Sequence, residues 1–145
     1  MIKGYDKETL TAIFSSRRAK IRESLSDSIT ALPVVFSEVC DDGTILFTLT
    51  PERWMRNPGG VMHGGIICTA FDNAMGTVTA ALNGKMTPTV NMQVDFVRPV
   101  VLDRPAVIRV ETVSMGKTLS RLRATLWQDS EDTPCATGAA LYYVK

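Results

Sequence analysis

Asp72 is the only formally charged side chain between Arg56 and Lys85, and His63 is the only basic one. Asp72 sits inside an apolar run, Ile66 to Leu82, where a carboxylate is costly unless it is hydrogen-bonded or neutralised. Such residues are candidates for acid–base or nucleophilic chemistry, although a structural hydrogen-bonding carboxylate fits the same observation. Immediately upstream stands Asn57-Pro58-Gly59-Gly60-Val61-Met62-His63-Gly64-Gly65. Glycines permit close approach of backbone to a ligand. The first N–H groups of a helix have no intrahelical partner and carry partial positive charge, so Gly64 and Gly65 can offer donors to an anion. They suit equally a carbonyl oxygen that becomes an anion in a transition state. Asn57 can add a side-chain amide and His63 can fix the loop. Taken alone, the loop also reads as a glycine-rich turn that simply feeds a helix.

Spacing adds a constraint. Gly64 and Asp72 are eight residues apart, about 12 Å along a helix axis. Asp72 therefore cannot act on a carbonyl held at the N-terminus of its own helix. It can act on one held by a second copy, if two such helices lie antiparallel across a two-fold axis. Loop and carboxylate together predict a homodimer with two composite sites.

Other chemistries fit less well. Cys68 and His63, five apart, fall on different sides of a helix and make a poor nucleophile–base pair. Cys68 can touch Asp72, but a neighbouring carboxylate raises a thiol's pKa and blunts it. The glycines match no phosphate-binding loop, and no Gly-x-Ser-x-Gly elbow exists. One histidine and three scattered cysteines offer no zinc ligand set and no disulfide framework.

The elements that must position these residues follow from periodicity. Ile66–Leu82, closing at Asn83-Gly84, reads as a helix buried on most sides. Across residues 5–30, Leu10, Ile13, Phe14, Ile21, Leu25 and Ile29 mark an amphipathic helix, with Arg17, Arg18, Lys20 and Arg22 on its solvated side. Val34–Cys40 and Thr44–Thr50 flank Asp41-Asp42-Gly43 as a β-hairpin. Thr89–Val97 alternates, with Val90, Met92, Val94 and Phe96 on one face and Asn91, Gln93 and Asp95 on the other. Ala106–Val113 and Lys117–Gln128 meet at Ser114-Met115-Gly116, and Cys135–Val144 is last. Thr137-Gly138-Ala139-Ala140 in that strand would let a helix cross closely. Strands that mostly follow one another predict an α+β domain with an antiparallel sheet curled around one buried helix.

With 145 residues, the chain fits one domain, 1–145, comprising an N-terminal helix at 1–30 and a core at 34–145. A net charge of +1 supplies no basic field for nucleic acid or an anionic membrane. The first residues show no apolar secretory segment, and the cysteine usage predicts a reduced, cytoplasmic, metal-free protein.

Three segments together, Asn57-Pro58-x-x-x-x-His63-Gly64-Gly65, Asp72-Asn73-Ala74 and Val94-Asp95-Phe96-Val97-Arg98-Pro99-Val100, resemble the hotdog-fold acyl-CoA thioesterases. The resemblance is closest to the phenylacetate-pathway (PaaI-like) and thioesterase-superfamily-member-2-like branch, and it covers residues 34 to the end. It implies a hotdog fold whose subunits join their sheets in pairs, as a dimer or a tetramer of two dimers. It implies that the Gly64 N–H, with Asn57 nearby, polarises the thioester carbonyl while Asp72 of the partner subunit activates water or attacks directly. His63 would hold the loop in shape. Asn91 matches a position where relatives carry Ser or Thr. Gly116, Lys117 and Thr118 match the turn where relatives meet the phosphates of CoA. No cofactor is implied, coenzyme A being part of the substrate. A non-catalytic acyl-CoA-binding module and a hotdog hydratase or dehydratase are the alternatives.

Overall fold

The computed structural model of the protein describes residues 2, 4–24 and 28–145, side chains excepted at 17–24 and 30. Helix α1 spans Lys7–Ser24. Its first turn is capped by Asp6, whose Oδ1 accepts the Thr9 N–H at 2.7 Å. Leu10 and Phe14 are buried, and Phe14 stacks on Phe36 at 5.3 Å, which seats the helix on the domain. The helix is shorter than the sequence pattern predicts. Ile29, expected on its apolar face, belongs to a separate one-turn 3-10 helix (Ile29–Ala31) and is exposed. The expected contacts of Ile21 and Leu25, and the basic cluster of Arg17, Arg18, Lys20 and Arg22, lie outside the described residues.

Strands β1 (Val35–Val39) and β2 (Ile45–Leu49) form the expected hairpin, with Gly43 at φ 84° in its turn. A second one-turn 3-10 helix, Arg53–Met55, leads into the glycine loop. Helix α2 then runs Gly64–Asn83 and ends on Gly84 at φ 68°, the left-handed C-terminal cap that Asn-Gly announced. Strands β3 (Thr89–Phe96), β4 (Ala106–Met115), β5 (Leu119–Trp127) and β6 (Ala136–Tyr143) complete the chain. The β4–β5 turn falls later than the sequence suggests: Ser114 and Met115 still pair with β5, and Gly116, Lys117 and Thr118 make the turn.

All six strands form one antiparallel sheet in the order β1-β2-β4-β5-β6-β3. Helix α2 packs against β3, β4, β5 and β6 through Ile67, Ala70, Phe71, Ala74, Met75 and Val78, all buried. This is the hotdog arrangement of a sheet around a central helix. The small residues of β6 make the crossing possible. A Cβ at Gly138 would stand 2.9 Å from Phe71 Cδ2, closer than such atoms approach.

Strand β3 is an edge of the sheet, and this changes the expected burial of its apolar face. Met92 and Val94 pack on the core, but Val90 is 57% and Phe96 56% exposed. One edge of β3 pairs with β6, and the other has no strand beside it among the described residues. Apolar side chains on an open edge invite pairing with another chain.

Candidate active site

The loop comes first in the chain and closes on itself. The Asn57 N–H donates to the Val61 carbonyl at 2.8 Å, and Asn57 Oδ1 accepts the Val61 N–H at 3.3 Å. Gly60, at φ 82°, takes the left-handed conformation that this turn requires. The expected amide of Asn57 therefore serves the loop through its oxygen. The loop is tied to the body by the His63 N–H, which donates to Met55 at 2.8 Å, and by the Met62 N–H, which donates to Val100 at 2.9 Å.

His63 is the N-cap of α2. Its Nδ1 accepts the Gly65 N–H at 2.9 Å, which places the ring proton on Nε2 in the neutral side chain. This bond ties the His63 ring to the first turn of α2. The same bond occupies the Gly65 N–H, so the first turn has one open donor of the expected pair. That donor is Gly64, whose N–H has no acceptor among the described residues. The ring of Phe96 lies over Gly64, with Cζ 3.2 Å from where a Cβ would stand. Strand alternation reads Phe96 as core, so nothing in the sequence places its ring at Gly64.

Two turns along the helix, Asp72 is half-buried and its Oδ1 is held twice. Thr89 Oγ1 donates to it at 2.7 Å, and Tyr142 OH donates at 3.0 Å. Its Oδ2 has no partner among the described residues. Burial, and then the adjacent Asp72 charge, push the Tyr142 hydroxyl above the ordinary tyrosine range, so it remains a donor. Neither hydroxyl stands out in the sequence. Tyr142 is 70 residues from Asp72, and Thr89 opens a strand whose polar face was read from Asn91, Gln93 and Asp95.

Asn91 stands elsewhere. The ladder between β3 and β6 slips by one residue between Thr89 and Asn91, so Thr89 pairs with Tyr142 while Asn91 pairs with Leu141. Residues paired across a ladder share a face. Thr89 therefore joins Tyr142 on the side of α2, and Asn91 points to the outer side. Gly116, Lys117 and Thr118 sit at the Thr89 end of the sheet, where the Thr118 carbonyl accepts the Val144 N–H at 2.8 Å. A Cβ on Gly116 would meet the Leu119 carbonyl oxygen at 2.6 Å, so this tight turn needs glycine. Lys117 and Thr118 are exposed.

Within one chain, then, the open donor and the poised carboxylate are separated. Gly64 lies under Phe96 at one end of β3, and Asp72 is bonded to Thr89 at the other. The arrangement can stabilise an oxyanion at one end and accept a proton, or supply a nucleophile, at the other. Among the described residues no three His, Cys, Asp or Glu side chains are grouped to hold a metal ion.

The sequence model of the Thioesterase superfamily matches residues 59–135, more than half of the chain. No curated protein matches the sequence. Among solved structures, mouse thioesterase superfamily member 2 aligns at a TM-score of 0.77 with 18% identity, covering 92% of this chain and 98% of its own. The Escherichia coli PaaI protein from the phenylacetic acid degradation operon aligns at 0.70 with 17% identity, covering 91% and 98%. A hypothetical thioesterase of Streptococcus pneumoniae, solved with coenzyme A, aligns at 0.68 with 22% identity, covering 76% and 86%. At these identities the structural likenesses are of fold. The chain belongs to the thioesterase superfamily, and it is a thioester hydrolase.

Proposed function

We propose that the protein hydrolyses acyl-CoA thioesters to free acid and CoA, in sites shared between two copies of the chain. The observation that carries this reading is Asp72, with one carboxylate oxygen fixed by two hydroxyls and the other open. The open edge of β3 supplies the second half of the site. If two β3 edges pair antiparallel about a two-fold axis, the Phe96 end of one strand lies beside the Thr89 end of the other. The Gly64 N–H of one subunit is then brought toward Asp72 of its neighbour. The coenzyme A bound in the Streptococcus pneumoniae structure of the same fold supports the choice of thioester.

In this site the thioester carbonyl oxygen rests on the Gly64 N–H. Acting as base, Asp72 Oδ2 takes a proton from water as the water oxygen bonds to the carbonyl carbon. The tetrahedral oxyanion is held by the same N–H and by the positive end of α2. It collapses with cleavage of the C–S bond, and the departing thiolate receives the proton from Asp72. Acting as nucleophile instead, Oδ2 bonds to the carbonyl carbon, CoA leaves, and water hydrolyses the resulting anhydride. Lys117 offers positive charge to the phosphates of CoA. With the Gly65 N–H spent on His63, Gly65 contributes small size and not a donor.

The test is steady-state hydrolysis of a panel of acyl-CoAs by wild type and by Asp72→Asn, which keeps shape but cannot accept a proton. The maximal rate is expected to fall by more than about a hundredfold with little change in CoA affinity. A variant with most of its activity removes Asp72 from the reaction. Saturable binding of acyl-CoA without turnover by the wild type would instead mark a binding module.

A further inference from the structure

Phe71 and Met75 are wholly buried among the strands, so core packing accounts for them. Trp54 is different. It is 59% exposed, and its indole Nε1 donates to Glu52 Oε2 at 3.0 Å, which fixes the ring without covering its faces. Opposite stands the one-turn helix after α1, with Ile29 61% exposed. Between them lies a groove of about 260 Å³ lined by Ser28, Ile29, Ala31, Leu32 and Trp54.

The position of this groove matters more than its size. Trp54 precedes Met55, whose carbonyl holds the N-cap His63 of α2. On the other wall, the Ile29 carbonyl accepts the Asn73 Nδ2 at 3.4 Å, and Asn73 follows Asp72 in the helix. The groove therefore lies between the capping loop and the helical turn that carries the carboxylate. None of the described residues lining it is ionisable, and its volume is too small for a helix or strand of a protein partner. An aromatic plate facing two aliphatic side chains suits an uncharged, apolar tail.

We propose that Trp54 and Ile29 form an acyl-tail subsite that sets the preference of the enzyme for apolar acyl groups. This inference rests on the acyl-CoA reading above. The thioester carbon sits at Asp72, and the tail leaves it along the flank of α2 past Asn73 into the groove. The N-terminal segment is then part of the specificity machinery. Because the walls stand open to solvent, the subsite discriminates by the apolar area of the tail and not by hydrogen bonds.

The experiment is kcat/KM for acetyl-, butanoyl-, hexanoyl-, octanoyl- and phenylacetyl-CoA with wild type, Trp54→Ala, Trp54→Phe and Ile29→Ser. Wild type is expected to favour the longer or aromatic tails over acetyl. In Trp54→Ala and Ile29→Ser the octanoyl-to-acetyl ratio of kcat/KM should fall by about tenfold, and Trp54→Phe should restore most of it. Both positions are exposed, so folding is preserved, and melting curves verify it. A ratio that stays within twofold of wild type, including a parallel loss on every substrate, overturns the subsite. Failure of the wild type to turn over any of these thioesters refutes the acyl-CoA reading itself, a distinct result.

Discussion

The open donor at Gly64 permits an unusually clean perturbation. Gly64 is the first residue of α2, and its N–H has no partner among the described residues. Proline is favoured at that helical position because its missing N–H would be unpaired anyway. The preceding residue must be extended, and His63 already is, at φ −65° and ψ 134°. Gly64→Pro therefore deletes one hydrogen-bond donor while leaving the helix intact. The added ring meets Phe96 at 3.2 Å, but that side chain is exposed at the strand end and can move aside. Gly64→Ala places a Cβ in the same spot and keeps the N–H, so it controls for the contact. Loss of a single oxyanion donor costs about 100- to 1,000-fold in kcat. We expect that loss in Gly64→Pro with melting temperature nearly unchanged, and near wild-type kcat in Gly64→Ala. CoA release, followed with a thiol reagent, reads both. The pair also tests subunit sharing. Co-expressed Gly64→Pro and Asp72→Asn chains that assort at random leave about a quarter of the composite sites intact, and activity should recover to about that level. A Gly64→Pro enzyme within tenfold of wild type, or no recovery in a verified mixed dimer, refutes the reasoning.

Four further outcomes follow from the same geometry. Tyr142→Phe keeps the buried ring and removes one of the two hydroxyls on Asp72 Oδ1; kcat should drop roughly tenfold with KM unchanged, since bonds to a charged group are worth about 1.5–3 kcal/mol. The same variant should change the alkaline behaviour. Tyr142 has a raised pKa in the folded chain, so the unfolded chain loses this proton first, and wild-type stability should fall above about pH 10 more steeply than that of Tyr142→Phe, by roughly 1.4 kcal/mol per pH unit. His63→Ala, measured by denaturant melts, should cost about 1 kcal/mol by loss of the cap, and His63→Asn should recover most of it. Gly138→Ala forces a Cβ against Phe71 and should destabilise by about 1–3 kcal/mol in the same assay.

The sequence carries the fold legibly where the signal is local. Helix α2 is bounded by its own cap residues, the β1–β2 hairpin by its turn, and the helix–sheet approach by Gly138. The end of α1 is not legible, because Ile29 keeps the helical spacing while the chain leaves the helix before it. The loop and Asp72 were legible as chemistry because a carboxylate in an apolar helix needs a reason. Its two hydroxyl partners were not, since Thr89 and Tyr142 are ordinary strand residues until the ladder sets them beside α2. Phe96 was hidden in another way: alternation assigns a face, but it does not tell that the strand is an edge where that face runs out of core.

The slip in β3 carries one more consequence. Val90 is the supernumerary residue, so the strand resembles a ruler with one division inserted near its end. Counting back from Asp95 by twos arrives at Asn91 and then Thr89 as neighbours on one side, yet the two point to opposite sides. Removing Val90 would mend the ladder and still leave Thr89 opposite Tyr142. Position along the chain is thus a poor coordinate for the hydroxyl that steadies the carboxylate. Its address is the residue across the ladder, and a chain with the same fold and no inserted division would write that address at a different number.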